Sequence, residues 1–216
     1  MQIITLANFR SCGKSSIARI LAEKLNSSIL NFDTERDSEH YNVVHTINIS
    51  SDKKISRTDK TLVLSDNTAE QIISTKSGYL ICDLGGYYDE RLADIESDFY
   101  IIPTFQDYES MRETVRTAHF ILKSNHKAQI IFILNGAMIR DKSGKKRFID
   151  TFNEMLEING LNRFKCFYLS YSNLMNKIVD EAVKKEDVKT KNGVKISYKN
   201  LDQEINDILD FIKGVN

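Results

Sequence analysis

Proline occurs only once in the 216 residues, and cysteine only three times. The single proline, Pro103, follows an apolar run directly, a place where a missing N–H is cheap. Cys12, Cys82 and Cys166 are far apart, odd in number and outside any CxxC pair. That pattern excludes a disulfide framework and a cysteine zinc site, and it fits a reducing compartment. His40, His45, His119 and His126 are scattered without metal-ligand spacing. No apolar run approaches the roughly 20 residues needed to cross a bilayer. The first residues, Met-Gln-Ile-Ile-Thr-Leu-Ala, have no basic n-region, so no secretory leader is expected. Internal repeats and low-complexity tracts are also missing. Net charge is absent too, with 30 basic residues against 30 acidic ones. Whole-chain charge therefore says nothing for nucleic acid or membrane.

What remains is the composition of a soluble globular protein, 41% hydrophobic and 28% charged. The length suits a single domain over residues 1–216 with a sizeable core. The charge is unevenly placed. Residues 137–199 hold 14 Lys/Arg against 8 Asp/Glu, and the remainder carries the opposite excess. A basic segment of this kind permits a phosphate-backbone contact; a solvated lysine-rich surface is the plainer account.

Short apolar runs alternate with helical patterns. Residues 3–7, 29–32, 79–82, 99–102, 130–134 and 166–169 read as buried strands. Residues 15–25 carry Ile17, Ile20, Leu21 and Leu25 on one helical face. Asp107 is placed to cap a helix with Met111, Val115, Ala118 and Leu122 in a stripe. A last helix shows Leu201, Ile205, Ile208, Leu209 and Ile212. Continuously apolar strands separated by helices indicate an α/β fold, with a mostly parallel central sheet covered on both faces in three layers. Residues 43–49 and 62–64 are expected as extra strands, and the polar residues 50–60 as a loop. Asn192-Gly193 marks a turn within the lysine-rich residues 184–195, which read as a hairpin or loop.

The strongest motif is Asn8-Phe9-Arg10-Ser11-Cys12-Gly13-Lys14-Ser15-Ser16, set between the first strand and the first helix. Backbone N–H groups of such a loop, with the helix N-terminus, cradle phosphates. Arg10, Ser11, Cys12, Gly13, Lys14, Ser15 and Ser16 form the expected cradle. Lys14 is placed to reach the β- and γ-phosphates of ATP, and Ser15 to hold Mg²⁺. Asn8 stands where the usual pattern has its first glycine, and the expectation is that asparagine's tolerance of positive φ keeps the turn. A helix N-terminus would also lower the Cys12 thiol pKa, although a packing role is the simpler reading. Asp33 and Asp83 end two strands, where carboxylates hold the Mg²⁺ water shell or orient an attacking water.

With Phe32-Asp33-Thr34-Glu35, Cys82-Asp83-Leu84-Gly85-Gly86, Asp98-Phe99-Tyr100-Ile101-Ile102-Pro103 and Ile131-Phe132-Ile133-Leu134-Asn135 in order, the chain resembles the ParA/MinD family of P-loop ATPases over nearly its whole length. It shares features with the smaller StbB/TraL-like relatives on conjugative plasmids. The resemblance implies a P-loop NTPase fold, ATP and Mg²⁺ as cofactors, and Lys14, Asp33 and Asp83 as catalytic residues. It implies an adenine contact for Asn135. It further implies slow hydrolysis that switches an ATP-dependent homodimer, nonspecific DNA contact, and a ParB-like centromere-binding adaptor that stimulates turnover. A cytoplasmic, nucleoid-associated role in partition follows from it, without membrane attachment. The acidic last helix, with Asp202, Glu204, Asp207 and Asp210, is unlike a membrane-targeting one. For DNA the candidates are Lys184, Lys185, Lys189, Lys191 and Lys195, with Arg140, Lys142, Lys145, Lys146 and Arg147.

One departure stands out. The family's signature lysine reaches the partner's phosphates across a dimer, and its slot here is Phe9; Arg10 stands one position along. Two other readings fit the same loop. One is a small-molecule kinase or ligase of the dethiobiotin synthetase type, which needs a compact acceptor pocket. The other is a nucleotide-binding scaffold that hydrolyses nothing. Tyr87 and Tyr88, after Gly85-Gly86, are placed to face a partner or nucleotide or to sit half-buried.

Overall fold

The computed structural model describes residues 1–32, 46–49, 54–58, 61–65, 70–73, 77–85, 92, 95–136, 139–170, 189–190, 193–194 and 196–214. The central sheet has seven strands in the order β10-β9-β8-β1-β7-β2-β3. They are β1 (Gln2–Leu6), β2 (Ser28–Asn31), β3 (Thr46–Asn48), β7 (Tyr79–Asp83), β8 (Phe99–Thr104), β9 (Gln129–Asn135) and β10 (Lys165–Leu169). Every pairing among them is parallel.

Parallel strands must bury both faces, and the alternation of side chains shows how. Ile4, Ile81, Ile101 and Ile133 point to one face. There they meet α1 (Lys14–Leu25) and α4 (Ile196–Lys213), through Ile17 and Leu21 of the first and Leu201, Ile205 and Ile208 of the second. Lys24 of α1 and Asp202 of α4 form an ion pair across the outside of this layer. Ile3, Leu80, Ile102 and Phe132 point to the other face. That face is covered by α2 (Tyr108–Ser124), through Met111, Val115, Ala118 and Ile121, and by α3 (Lys142–Ile158), through Phe148, Phe152 and Leu156. The result is the three-layer α/β architecture expected from the apolar runs.

Three local expectations are corrected, and one helix is unexpected. Residues 50–60 are not simply loop: β4 (Lys54–Thr58) pairs antiparallel with β5 (Thr61–Ser65), which pairs with β6 (Glu70–Ile73). A hairpin strand takes its order from its partner's backbone, so the polar Lys-Ile-Ser-Arg-Thr sequence gives no apolar run to read. Pro103 lies inside β8, paired in register with Ile133. Its other edge faces β1, whose ladder with β8 stops at Leu6 opposite Ile101, so no strand there asks for the missing N–H. Leu122 is only partly buried, and Ile121 takes the inward place in α2. The unexpected helix is α3: its lysine-rich first turns mask the signal of Phe148, Phe152 and Leu156, spaced four apart. At the turn marked by Asn192-Gly193, β11 (Lys189–Thr190) and β12 (Gly193–Val194) form an antiparallel pair, the hairpin alternative.

Candidate nucleotide site

The carboxyl ends of β1, β7 and β2 stop at one level, because Leu6 pairs with Asp83 and Asp83 with Asn31. Two hydrogen bonds extend that level past the strands, Leu84 N–H to the Leu6 carbonyl (3.2 Å) and Phe32 N–H to the Asp83 carbonyl (2.9 Å). β1 is also where the chain order turns back: it runs outward through β2 and β3, then returns through β7 to β8 on the other side. Crevices at such switch points are where open α/β sheets bind ligands. The phosphate-type loop leaves β1 here.

Lys14 is 5% exposed, and its ammonium donates to the carbonyls of Asn8 (3.2 Å) and Arg10 (2.9 Å). The loop is thus wrapped around a buried cation. Gly13 precedes it with φ 85°, a left-handed conformation that only glycine adopts freely. A Cβ at Gly13 would stand 2.6 Å from Nδ2 of Asn135, whose amide donates to the Cys12 carbonyl at 3.2 Å. Gly13 supplies no side-chain cap to α1, and the first turn holds no acidic residue. The first N–H groups of α1 thus present the positive end of the helix to the loop. Ser15 and Ser16 are half-buried in that turn, and Ser11 is exposed.

Asn8 keeps the turn by a route other than the expected one. Among the described non-glycine residues only Asn26 has positive φ, so Asn8 does not. Its side chain does the stitching instead. Nδ2 donates to the Pro103 carbonyl (2.6 Å) and Thr114 Oγ1 (2.8 Å), and Oδ1 accepts from Arg10 N–H (2.8 Å). Phe9 turns onto α2, its N–H reaching Thr117 Oγ1 at 3.3 Å and its ring meeting Phe120 edge-on at 6.0 Å. Arg10 is exposed and pairs with Asp107 (3.3 Å) and Glu109 (3.1 Å). None of these partners on α2 was legible beforehand, since they lie about a hundred residues away in sequence.

Asp83 is fully buried at the strand end beside the loop. Cys12 is buried, and burial pushes its thiol above the ordinary range. Hydrogen bonding from Ser110 and Phe105 and the charges of Lys14 and Arg10 offset this only in part, so the lowering expected of a helix N-terminus does not win. Burial pushes Cys82 to about 12. Asp33, Tyr87, Tyr88, His40 and His45 lie outside the described residues, as do Lys184, Lys185, Lys191 and Lys195; Lys189 is described by its backbone alone. The structure thus brings Lys14, Ser15, Asp83 and Asn135 to one end of the sheet. Among the described residues no three His, Cys, Asp or Glu side chains gather into a cluster. Among them, too, no helix is long and apolar enough to cross a membrane.

A parallel sheet switching at β1, with a glycine-lysine-serine loop entering the next helix, is the fold of P-loop NTPases. No protein-family model matches the chain, and no curated protein matches it by sequence. Solved structures do match. A plasmid partition protein from Borrelia burgdorferi, bound to AMPPNP, is 18% identical over 99% of each chain, with a TM-score of 0.57. A ParA family ATPase from Chlorobium tepidum is 12% identical over 94% of this chain and 98% of that one, with a TM-score of 0.56. The MinD cell division protein of Aquifex aeolicus is 9% identical over 97% of each, with a TM-score of 0.57. The protein has the fold of the ParA/MinD ATPases.

Proposed function

We propose that this protein is a single-domain ParA-like ATPase that binds ATP with Mg²⁺ and hydrolyses it slowly to switch its dimerisation and its contacts with DNA and a partition partner. The observation that carries this reading is the buried Lys14 ammonium, which donates to the loop carbonyls of Asn8 and Arg10 at the N-terminal end of α1. A phosphate group fits that arrangement. It would take the ammonium from two neutral carbonyls and meet the first N–H groups of α1. The close approach of Gly13 to Asn135 keeps the loop backbone where no side chain could stand.

The oxygens of Ser15 and Asp83 suit Mg²⁺, which needs only one or two protein ligands when phosphates and water supply the rest. Asp33 follows β2 in sequence and joins them in this reading. When bound, Mg²⁺ neutralises charge on the β- and γ-phosphates. The chain's own residues position and exclude. Lys14 holds the transferring end, Asp83 and Asp33 orient water, and Asn135 fixes the loop behind Gly13. Arg10 and the remaining loop residues, Ser11, Cys12, Gly13 and Ser16, present backbone N–H groups or charge to the phosphates.

Lys14→Ala is the direct test. Titration with a fluorescent ATP analogue should show affinity falling on the order of 100-fold, about 2.7 kcal/mol. Wild-type binding and turnover in that variant would sink the assignment. For DNA, binding should be sequence-tolerant, and its affinity should fall with salt at a log–log slope of roughly −0.9 per phosphate neutralised. Charge reversal at Lys184, Lys185 and Lys189 should weaken it. The adaptor is read as a ParB-like protein and the location as the nucleoid-bearing cytoplasm, both from likeness to the partition proteins. A small-molecule kinase or ligase is the second reading. One observation favours it: a cleft of about 460 Å³ opens between the N-terminal ends of α2 and α3.

A further inference from the structure

Asn135 stands between two glycines, Gly13 in the loop and Gly136 next along the chain, and each lacks a Cβ where a side chain packs. The space beside Gly13 is taken by the Asn135 amide. The space beside Gly136 is taken by Tyr168. A Cβ there would overlap the Tyr168 hydroxyl oxygen and stand 2.5 Å from Cζ, with the Leu169 carbonyl at 2.7 Å. Gly136 is buried and its φ is not positive, so glycine serves here for close approach rather than for an unusual turn. Its N–H donates to the Leu169 carbonyl (2.8 Å), and its own carbonyl accepts from Ile139 N–H (2.9 Å). Tyr168 is itself fixed. Lys145 of α3 lies 4.1 Å over its ring, and Phe148 meets the ring edge-on at 6.5 Å. Glu204 of α4, 3.9 Å from Lys145, accepts from the N–H and the hydroxyl of Ser170, each at 2.6 Å, directly after β10. A row of contacts thus runs from α3 and α4 through Tyr168, Gly136 and Asn135 to the Cys12 carbonyl.

We propose that Tyr168 is a positioning residue for the phosphate-type loop, pressing on Gly136 so that Asn135 keeps its amide on the Cys12 carbonyl. The tolerance at Asn135 is narrow, because Nδ2 must reach that carbonyl at 3.2 Å in the space that a Gly13 side chain would fill. A closely packed ring is a stiff stop, and removing it lets the corner sink into the vacated volume. Groups that must hold a ligand to within about 0.5 Å need such support behind them. The hold on the loop requires no ligand; only its consequence for ATP affinity rests on the nucleotide reading.

Cys12 reports on the loop directly, because it is fully buried and its thiol makes hydrogen bonds with Ser110 and Phe105. Alkylation with iodoacetamide at about pH 8, read cysteine by cysteine in a mass spectrometer, measures how often the loop opens in the ligand-free protein. Tyr168→Ala should speed Cys12 alkylation roughly tenfold, and Tyr168→Phe, which keeps the ring in place, roughly threefold. Asn135→Ala should speed it at least as much as Tyr168→Ala, and adding Tyr168→Ala to it should bring no further gain. Cys82, fully buried in the same samples, registers general loosening and should stay slow. Unchanged Cys12 rates in both Tyr168 variants overturn the proposal. So do Cys12 and Cys82 rates rising together, which marks lost stability alone. Full additivity with Asn135→Ala overturns it as well, since Tyr168 would then act by another route. Titration of the same proteins with a fluorescent ATP analogue should show the same pattern, with binding roughly tenfold weaker in Tyr168→Ala and no further loss beyond Asn135→Ala. A wild type that binds no analogue counts against the nucleotide reading alone, because the alkylation pattern would still support the role of Tyr168.

Discussion

The two halves of the loop are built by different means. Residues 8–10 are held from outside, by side chains reaching α2 and the end of β8. Residues 13–16 are held from within, by the left-handed Gly13, the first turn of α1 and a lysine folded onto backbone carbonyls. The first half departs from the ParA/MinD pattern and the second keeps it. A left-handed backbone position crowded by Asn135 favours glycine strongly, whereas a turn pinned by side chains can be pinned by different ones. Asn8 takes over its stretch with three hydrogen bonds while 2% exposed. Phe9 is a packing residue against Phe120.

That contrast is broken most severely at Gly13. Gly13→Ala puts a Cβ 2.6 Å from a buried amide nitrogen and forces an L-residue to φ 85°. Strain and crowding together should cost about 3 kcal/mol, read from urea unfolding. Adding Asn135→Ala should restore only the crowding share. Full recovery in the double variant would mean that the conformation itself carries no strain.

Asn8 is the next step down. Asn8→Ala removes the short bond to the Pro103 carbonyl, leaving it a 3.5 Å contact from Thr114 Oγ1, and the bond to Thr114 Oγ1 itself, and should cost about 2 kcal/mol. Thr114→Val shares one of those bonds, so the two changes should be sub-additive in a double-mutant cycle. Strict additivity would show that the Asn8–Thr114 bond stabilises nothing. Asn8→Gly, which restores the usual residue, should be no better than Ala, because φ at position 8 is not positive.

How much of this was legible follows from distance along the chain. Strands such as residues 130–134 declare themselves because burial on both faces leaves a continuous apolar run. Gly13, Lys14 and Ser15 declare themselves as a candidate site because a backbone-built loop needs fixed local spacing, and Asp83 as a candidate because it ends a strand legible from its own apolar run. Asn8 does not, since its meaning lies in Pro103 and Thr114, 95 and 106 residues away. The same holds for β4, ordered by its hairpin partner, and for α3, whose three inward residues are outnumbered by charge. The cleft between α2 and α3 has no sequence signal for the same reason: one of its walls is a helix whose apolar residues are outnumbered by charge.

Asp107 sharpens the contrast at lower energy. Burial raises its carboxyl pKa, but hydrogen bonds from the Ser110 side chain and backbone and the charge of Arg10 outweigh it, and the net shift is downward. A depressed folded value means a contribution present above the ordinary aspartate range, near about 4, and lost as pH falls through the folded value. Asp107→Asn keeps a capping oxygen and removes the charge. Its stability should trail wild type by no more than about 1 kcal/mol at pH 7, given the exposure of the pair. As pH falls below the ordinary aspartate range and through the folded value, the gap should shrink. A gap that does not shrink on acidification would assign the effect to cap geometry rather than charge.

The smallest effect on stability belongs to Arg10, and there the two halves of the loop part in function. Both of its ion pairs are exposed, so Arg10→Ala should change unfolding free energy by less than about 1 kcal/mol. The same weakness makes Arg10 easy to release. If it serves a second copy's phosphates in place of the lysine missing at Phe9, it must first leave Asp107 and Glu109. Removing those charges, Asp107→Asn with Glu109→Gln, should then favour the dimer formed with a non-hydrolysable ATP analogue, tightening it severalfold. Arg10→Ala should loosen that dimer and leave nucleotide binding by the monomer nearly unchanged. Sedimentation of the three proteins with and without the analogue separates the outcomes. A wild type that stays monomeric, or variants that dimerise equally well, would leave Arg10 as a clamp between the loop and α2, and dimerisation would have to draw its charge from elsewhere.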